Sequence, residues 1–222
     1  MKKNTIKILT IISVIVSIIQ ILLSYFGIFR YISLHMYKCS SYVNNYKNIK
    51  KHQHHNSHKV IVVMTATEDN INNIEPTINS IFDQTVRVDE ITLAVPYKLN
   101  EKIPEHIKNT IWVHNFIKDY GDLNAFIEPL LKSENRDDII IVVQNNMIYG
   151  RDFIEEIIDE NKRTNKIVYG KNKDIYSGIL LKQDYLKTGF EEYEEKDIQK
   201  WLNTFQNVED TNINYMEIYK KW

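Results

Sequence analysis

An uninterrupted apolar run near the middle of the chain is followed directly by three amides. The run Ile139–Val143 begins after two aspartates and ends at Gln144, Asn145 and Asn146. Five consecutive β-branched residues without polar alternation are typical of a strand that is buried on both faces, as in parallel sheets. In open α/β sheets, ligands bind just beyond the carboxyl ends of such strands. We therefore expect the three amides to lie at a ligand-binding edge.

Further segments alternate between strand-like and helix-like patterns, which predicts an α/β fold with a mainly parallel sheet and helices on both faces. The predicted strands are Val60–Met64, Ile91–Val95, Ile111–Val113, Ile139–Val143, Ile167–Tyr169 and Tyr176–Leu181. The predicted helices span residues 70–83, 123–131, 153–158 and 191–205. In such a sheet Thr65, Pro96, Asn115 and Gln144 should share one edge.

The N-terminal region contains one long apolar segment. Residues 8–29 carry no charge, and their number matches the roughly 20 residues that cross a bilayer. We see no small-residue cleavage site, so an uncleaved single-pass anchor over residues 1–30 is preferred to a cleaved signal. Lys2, Lys3 and Lys7 precede the segment and favour a cytosolic N-terminus, that is, a type II orientation. The absence of an Asn-x-Ser/Thr sequon favours a cytosolic domain instead, which leaves the orientation open.

Residues 31–58 are polar and basic without clean periodicity, and we interpret them as a His-rich stalk before a domain over residues 59–222. A metal site and a solvated tract are the two interpretations of the histidines at its end, and the absence of a second ligand cluster of defined spacing favours the solvated tract. These histidines are His52, His54, His55 and His58.

Composition and the absence of certain motifs argue against several other classes of protein and binding site. The 222 residues carry a formal net charge of −1, which gives no electrostatic case for a nucleic-acid partner. Cys39 is the single cysteine, so an internal disulfide and a four-cysteine zinc site are both excluded. The Gly-rich fingerprints of dinucleotide-binding and P-loop proteins are also absent from the sequence.

Five segments carry short motifs in a defined order, namely Thr77–Thr85, Asp89–Pro96, Asp119–Ala125, Ile141–Gly150 and Glu195–Leu202. In this order they resemble the family-two-like nucleotide-sugar glycosyltransferases of the A-type (GT-A) fold. Thr77–Thr85 matches "T-I-x-S-I-x-x-Q-T", Asp119–Ala125 is similar to "D-Y-G-P-x-T-K", and Ile141–Gly150 falls where the family has "V-D-D-D-x-x-Y-P". Asp89–Pro96 is similar to the family's second strand, and Glu195–Leu202 to its "D-D-x-W-L" region. The resemblance implies a GT-A-type sheet, and the apolar segment over residues 8–29 adds one transmembrane helix before it.

The resemblance also implies roles for individual residues. Thr65, Asp119 and the three amides Gln144, Asn145 and Asn146 would bind the nucleotide-sugar, and Asp197 would be the catalytic base that deprotonates an acceptor hydroxyl. Each has a structural alternative. Asp119 suits a turn, Asp197 lies in an acidic run typical of a solvated helix face, and the amides could bond to backbone at the strand end.

The chain departs from the family pattern at its metal site. The family's carboxylate trio binds Mn²⁺ or Mg²⁺, whereas Gln144, Asn145 and Asn146 offer carbonyl oxygens without charge, so no metal ligand is assigned. Ala125 also replaces the family's lysine. We therefore expect a membrane-anchored transferase that moves sugar from a nucleotide-sugar donor to a glycan or protein acceptor with weak or no metal dependence. The alternative is a catalytically inactive relative that binds glycan or nucleotide, or assembles partners, at a membrane.

Overall fold

The computed structural model describes residues 2–25, 27–49, 58–116, 124–125, 129, 135, 137–165, 168–169 and 179–182. The chain divides into two units, Met1–Lys38 and Cys39–Trp222.

The first unit contains the predicted apolar helix. Helix α1 runs over Lys2–Tyr25, and its segment Thr5–Tyr25 is long and apolar enough to cross a membrane, with a mean hydropathy of 2.6. A second helix, α2, covers Ile28–Met36. Gly27 precedes it with φ +67°, a left-handed conformation that favours glycine and that interrupts the helical path. The candidate span therefore begins and ends earlier than the predicted residues 8–29.

The second unit is built on a six-stranded sheet in the order β3-β2-β1-β4-β6-β5. Strands β1 to β4 are mutually parallel, while β6 runs antiparallel to both β4 and β5. This confirms the predicted α/β class with a mainly parallel sheet. The strands are β1 (Val60–Thr65), β2 (Glu90–Pro96), β3 (Trp112–Phe116), β4 (Ile139–Val143), β5 (Val168–Tyr169) and β6 (Ile179–Lys182).

Strand β1 lies at the centre of the parallel part and is covered on both faces. The consecutive residues Val62, Val63 and Met64 are all fully buried, although successive side chains of a strand point to opposite faces. Ile139, Ile140 and Ile141 of the neighbouring β4 are likewise fully buried. The apolar runs without alternation thus reflect burial on both faces, as the sequence predicted.

Four α-helices with described bounds belong to this unit. They are α3 (Cys39–Lys47), α4 (Glu75–Phe82), α5 (Glu105–Lys108) and α6 (Phe153–Thr164). The helix predicted over residues 70–83 is a 3₁₀ turn at Ile71–Asn73 followed by α4, in which Pro76 occupies the first turn as expected. Proline is tolerated there because the first turn has no intrahelical acceptor for its missing N–H.

Helix α3 lies within the segment that the sequence presents as a stalk. Its residues pack against α4 and α5. Cys39 and Tyr46 are buried, and the Tyr46 hydroxyl accepts a 2.8 Å hydrogen bond from the backbone N–H of Val88. The Tyr46 ring also meets Phe82 edge-on, with ring centroids 5.0 Å apart. The polar stretch over residues 31–58 therefore contains a helix that forms part of the domain core.

The last third of the domain is described only in part. Helix α6 begins where the pattern predicted and buries Ile154, Ile157 and Ile158. The two predicted strands after it are present as β5 and β6. Of the helix predicted over residues 123–131, Asn124, Ala125 and Pro129 are described and are helical. The helix predicted over residues 191–205 lies outside the described residues.

Candidate functional site

The carboxyl ends of the four parallel strands meet at one edge of the sheet. Met64 of β1 pairs with Leu93 of β2 and with Val143 of β4, so Thr65 and Gln144 follow side by side at the end of their strands. Asn115 lies near the end of β3, beside Val95. The sequence predicted this arrangement because parallel strands end at a common edge.

Asn145, the middle amide, is held by bonds on two sides. Its side-chain nitrogen donates a 2.5 Å hydrogen bond to the backbone carbonyl of Thr65. Its own backbone carbonyl accepts a 2.8 Å hydrogen bond from the hydroxyl of Thr77 in α4. The first bond needs a donor, which an amide has and an ionised carboxylate lacks. For Asn145, this is the backbone-bonding role that the sequence left open for the amides.

The segment Gln144–Gly150, here called the β4 loop, is closed on itself by Tyr149. The Tyr149 hydroxyl accepts a 2.7 Å hydrogen bond from the backbone N–H of Gln144. Burial raises the pKa of Tyr149, and the Gln144 N–H opposes this only in part. The phenol is therefore neutral, and its ring packs on Phe153 with centroids 4.5 Å apart.

Two buried polar side chains of α4 and its C-terminal end fix the other half of the loop. The Ser80 hydroxyl accepts a hydrogen bond from the backbone N–H of Tyr149 at 3.1 Å. The Gln84 amide donates to the carbonyl of Gly150 at 2.6 Å and accepts from the N–H of Ile154 at 3.0 Å. Ser80 and Gln84 are almost fully buried. The loop is therefore held by protein bonds, which orients the residues at its start.

The residues that hold the β4 loop could have been identified from the sequence, but the motif that contains them indicated only a family resemblance. Thr77, Ser80 and Gln84 are polar positions of the Thr77–Thr85 motif. Thr77 and Ser80 lie in α4 among Ile78, Ile81 and Phe82, and Gln84 follows the end of the helix. Buried polar groups require hydrogen-bond partners, so polar residues on a buried helix face indicate a structure that they hold. Here that structure is the β4 loop.

The donor set at the start of the loop does not fit a tightly held divalent cation. Gln144 and Asn145 are half-buried and Asn146 is exposed, and the three offer only uncharged oxygens. The side chain of Asn145 is already committed to Thr65. Glu68, in the loop after β1, forms an ion pair with Lys102 that lowers the pKa of the Glu68 carboxyl. The negative charge of Glu68 is therefore already neutralised by Lys102.

Asn115 adds a further polar group at this edge. Its side-chain oxygen is buried and has no hydrogen-bond partner among the described residues. Asp119 and Asp197, for which the resemblance implied donor binding and base catalysis, lie outside the described residues, as do His52, His54 and His55.

A separate cavity of about 550 Å³ opens at the opposite edge of the sheet. It is lined by the starts of β2 and β3, including Glu90 and Trp112, and by Tyr46 of α3. Its position at the amino ends of the strands separates it from Thr65 and the β4 loop.

Comparisons with known proteins give distant structural likenesses only. No protein-family model matches the sequence, and no curated protein matches it. A mannosyltransferase from Pyrobaculum calidifontis, solved in complex with GDP-Man and Mn²⁺, is similar over 64% of this chain at 12% identity and a TM-score of 0.39. The chain spans 42% of that enzyme's length.

A second solved structure, 4-diphosphocytidyl-2C-methyl-D-erythritol synthase from Anaerococcus prevotii, is similar over 66% of this chain and 83% of its own. The identity is 8% and the TM-score is 0.37. Likenesses at this level carry no information about the substrate of this chain.

Proposed function

We propose that the domain binds a nucleotide-sugar at the edge formed by Thr65 and the β4 loop, and that it transfers the sugar to a hydroxyl acceptor with weak or no metal dependence. The observation that carries the proposal is the bond from Asn145 to Thr65, which fixes a tripeptide of amides at the carboxyl edge of a parallel sheet. The ordered resemblance of five sequence segments to nucleotide-sugar glycosyltransferases supports the same function.

The chemistry of amides suits a diphosphate without a bridging cation. A carboxylate trio repels phosphate oxygens unless a metal lies between them, whereas the amide groups of Gln144 and Asn146 carry N–H donors. Such donors stabilise the negative charge that develops on the departing nucleoside diphosphate. In the transfer, the bond from the anomeric carbon to the diphosphate oxygen breaks and a bond to the acceptor oxygen forms. Asp197 takes the acceptor's proton in this proposal.

Release of nucleoside diphosphate tests the enzyme proposal directly. The full-length chain in detergent is incubated with UDP- and GDP-sugars and a glycan acceptor, with and without EDTA. We expect release that EDTA leaves largely unchanged, and a loss of at least about tenfold in Gln144→Ala and Asn146→Ala, in keeping with the loss of single charge-stabilising donors. The exposed Asn48→Ala is the matched control. The absence of release with every donor would contradict transfer.

A catalytically inactive binding module is the second candidate function. It is favoured by the commitment of Asn145 to a structural bond and by the lack of carboxylates at residues 144–146. This module would hold a nucleotide or glycan, or assemble partners, at a membrane. Calorimetry of UDP with and without Mn²⁺ tests this candidate, because metal-enhanced binding is incompatible with it, and the release of nucleoside diphosphate distinguishes it from the transferase.

We infer that α1 is a single-pass anchor, since Thr5–Tyr25 has the length and hydropathy of a membrane span. The three lysines near the N-terminus favour a type II orientation. Protease protection of the domain in sealed vesicles tests this orientation: digestion from the cytosolic side would contradict it.

A further inference from the structure

Three helices bring a thiol, a carboxylate and an imidazole together away from the β4 loop. Cys39 begins α3, Glu75 begins α4, and His106 lies in α5. The Glu75 carboxylate oxygen Oε1 lies 2.8 Å from His106 Nε2 and accepts a 2.8 Å hydrogen bond from the Cys39 backbone N–H. One ligand atom from each side chain falls within 4.8 Å of the other two.

We propose that Cys39, Glu75 and His106 form a binding site for a thiophilic divalent cation, best matched by Zn²⁺. Zinc takes thiolate, imidazole and carboxylate ligands, and three protein ligands with one open position are a common zinc arrangement. The hard cations Mg²⁺ and Ca²⁺ prefer oxygen ligands and would not be favoured by this set.

The distances are close to those that zinc requires. With zinc bonds of about 2.0 to 2.3 Å, ligand atoms at tetrahedral positions are about 3.3 to 3.8 Å apart. The Glu75–His106 contact of 2.8 Å must open by about 0.5 Å, and the sulfur must approach by at most about 1.5 Å from the 4.8 Å limit. Adjustments of this size are within the reach of side-chain rotations, so the backbone of the three helices need not move.

The exposure of the three residues matches a site with one open side. Cys39 is fully buried, whereas the side chains of Glu75 and His106 are 27% and 26% exposed. A water molecule can therefore supply a fourth ligand from the exposed side, while the sulfur lies on the protected side.

A nucleophilic role for the cysteine fits this arrangement less well. Burial raises the pKa of the Cys39 thiol, and the sulfur contacts the carbonyl oxygen of His106 at 3.8 Å. A neutral, buried thiol is unreactive toward substrates. A metal ion, by contrast, displaces the thiol proton when it binds, as it does at other cysteine sites.

Cobalt substitution tests the site, because a thiolate-to-Co²⁺ charge-transfer band in this chain can arise only from its single cysteine. The full-length chain in detergent, kept reduced, is titrated with Co²⁺. We expect one Co²⁺ per chain with this band, and its displacement by Zn²⁺. A folded protein that shows no such band in excess Co²⁺ would overturn the proposal.

Variants separate this site from the histidine-rich tract. Cys39→Ser should abolish the band. His106→Gln or Glu75→Gln should weaken Co²⁺ binding by at least about 100-fold, because the loss of a metal ligand lowers affinity more than the loss of a residue that only supports a ligand. His58→Gln is the control and should bind as the parent does. An unchanged Co²⁺ affinity in His106→Gln and Glu75→Gln would overturn the assignment.

Thermal unfolding provides a measurement that needs no absorption band. Zn²⁺ at about 100-fold its Kd should raise the Tm of the parent and of His58→Gln by about 5 °C or more. The Tm of Glu75→Gln should rise by about 1 °C or less, because this Zn²⁺ concentration does not exceed the weakened Kd of the variant. Equal shifts in all three proteins would place the metal elsewhere and contradict the site.

Discussion

The side-chain nitrogen of Asn145 donates a hydrogen bond to the carbonyl oxygen of Thr65, 80 residues earlier in the chain. This bond joins the ends of the two central strands, β1 and β4, at the edge where the candidate ligand site lies. Asparagine provides the donor that this position uses, and aspartate does not. The central amide thus has a structural role of its own, which a metal-binding carboxylate at this position could not fill.

Replacing Asn145 by aspartate should destabilise the protein. The variant loses the donor and brings a carboxylate against the Thr65 carbonyl, so we expect the free energy of unfolding to fall by about 1 to 3 kcal/mol. Urea unfolding of the detergent-solubilised chain, followed by circular dichroism, measures this change. The exposed Asn146→Asp should stay within about 0.5 kcal/mol of the parent. Equal losses in both variants would contradict the role assigned to the Asn145–Thr65 bond.

Restoring charge at the two outer amides should create a divalent-ion site. The double variant Gln144→Asp/Asn146→Asp supplies two carboxylate ligands and keeps the Asn145 bond intact. Calorimetry should show Mn²⁺ binding that is at least about tenfold tighter than in the parent, since each added carboxylate contributes charge to the site. Gln144→Ala/Asn146→Ala is the uncharged control. If the aspartate variant binds Mn²⁺ no better than this control, the edge is misassigned.

Gln84 should be essential for holding the β4 loop. Leucine at this position leaves the Gly150 carbonyl and the Ile154 N–H without their partner in a buried environment. For Gln84→Leu we expect the free energy of unfolding, measured by urea titration, to fall by about 2 to 3 kcal/mol. Thr85→Val removes an exposed hydrogen bond to Glu155 from the same motif and should cost less than about 1 kcal/mol. A larger loss in Thr85→Val would contradict this account.

In the metal-free protein, the buried thiol of Cys39 should make the fold less stable in alkali. Burial raises the folded-state pKa of Cys39 above that of the unfolded thiol, which is about 8.5. The unfolded chain therefore loses its proton first, and the stabilisation present below about pH 8.5 declines as the pH rises toward the folded-state pKa. Unfolding free energies at about pH 7 and about pH 9.5 should differ less in Cys39→Ala than in the parent. Identical differences would contradict this contribution from the thiol.

Charge in the middle of α1 should weaken membrane insertion. Ile15 lies at the midpoint of Thr5–Tyr25 and is exposed on the helix surface. Arginine there costs about 2.5 to 3.5 kcal/mol of insertion free energy, so a smaller fraction of the chain should resist carbonate extraction. Tyr25→Arg at the end of the span is the control, because a terminal arginine can reach the interface. Unchanged extraction of Ile15→Arg would argue against α1 as the anchor.

The local sequence was sufficient to predict the central strands and two helices. Val60–Met64, Ile91–Val95 and Ile139–Val143 are strands because short, mainly apolar runs rich in β-branched residues suit burial on both faces of a sheet. The shared edge of Thr65 and Gln144 followed from parallel pairing alone. The signals of α4 and α6 were equally local, with Pro76 in a first turn and isoleucines at helical spacing.

Only the tertiary structure decided which polar groups meet. The packing of α3 in the domain core and the Cys39–Glu75–His106 cluster depend on contacts between residues 31 to 67 positions apart. The Asn145–Thr65 bond spans 80 positions. Periodicity reports which face of an element is buried, but a hydrogen bond between distant side chains depends on how whole elements pack. The sequence therefore determined the layers and the edge of the sheet, and the packing of helices against that sheet determined the chemistry of its sites.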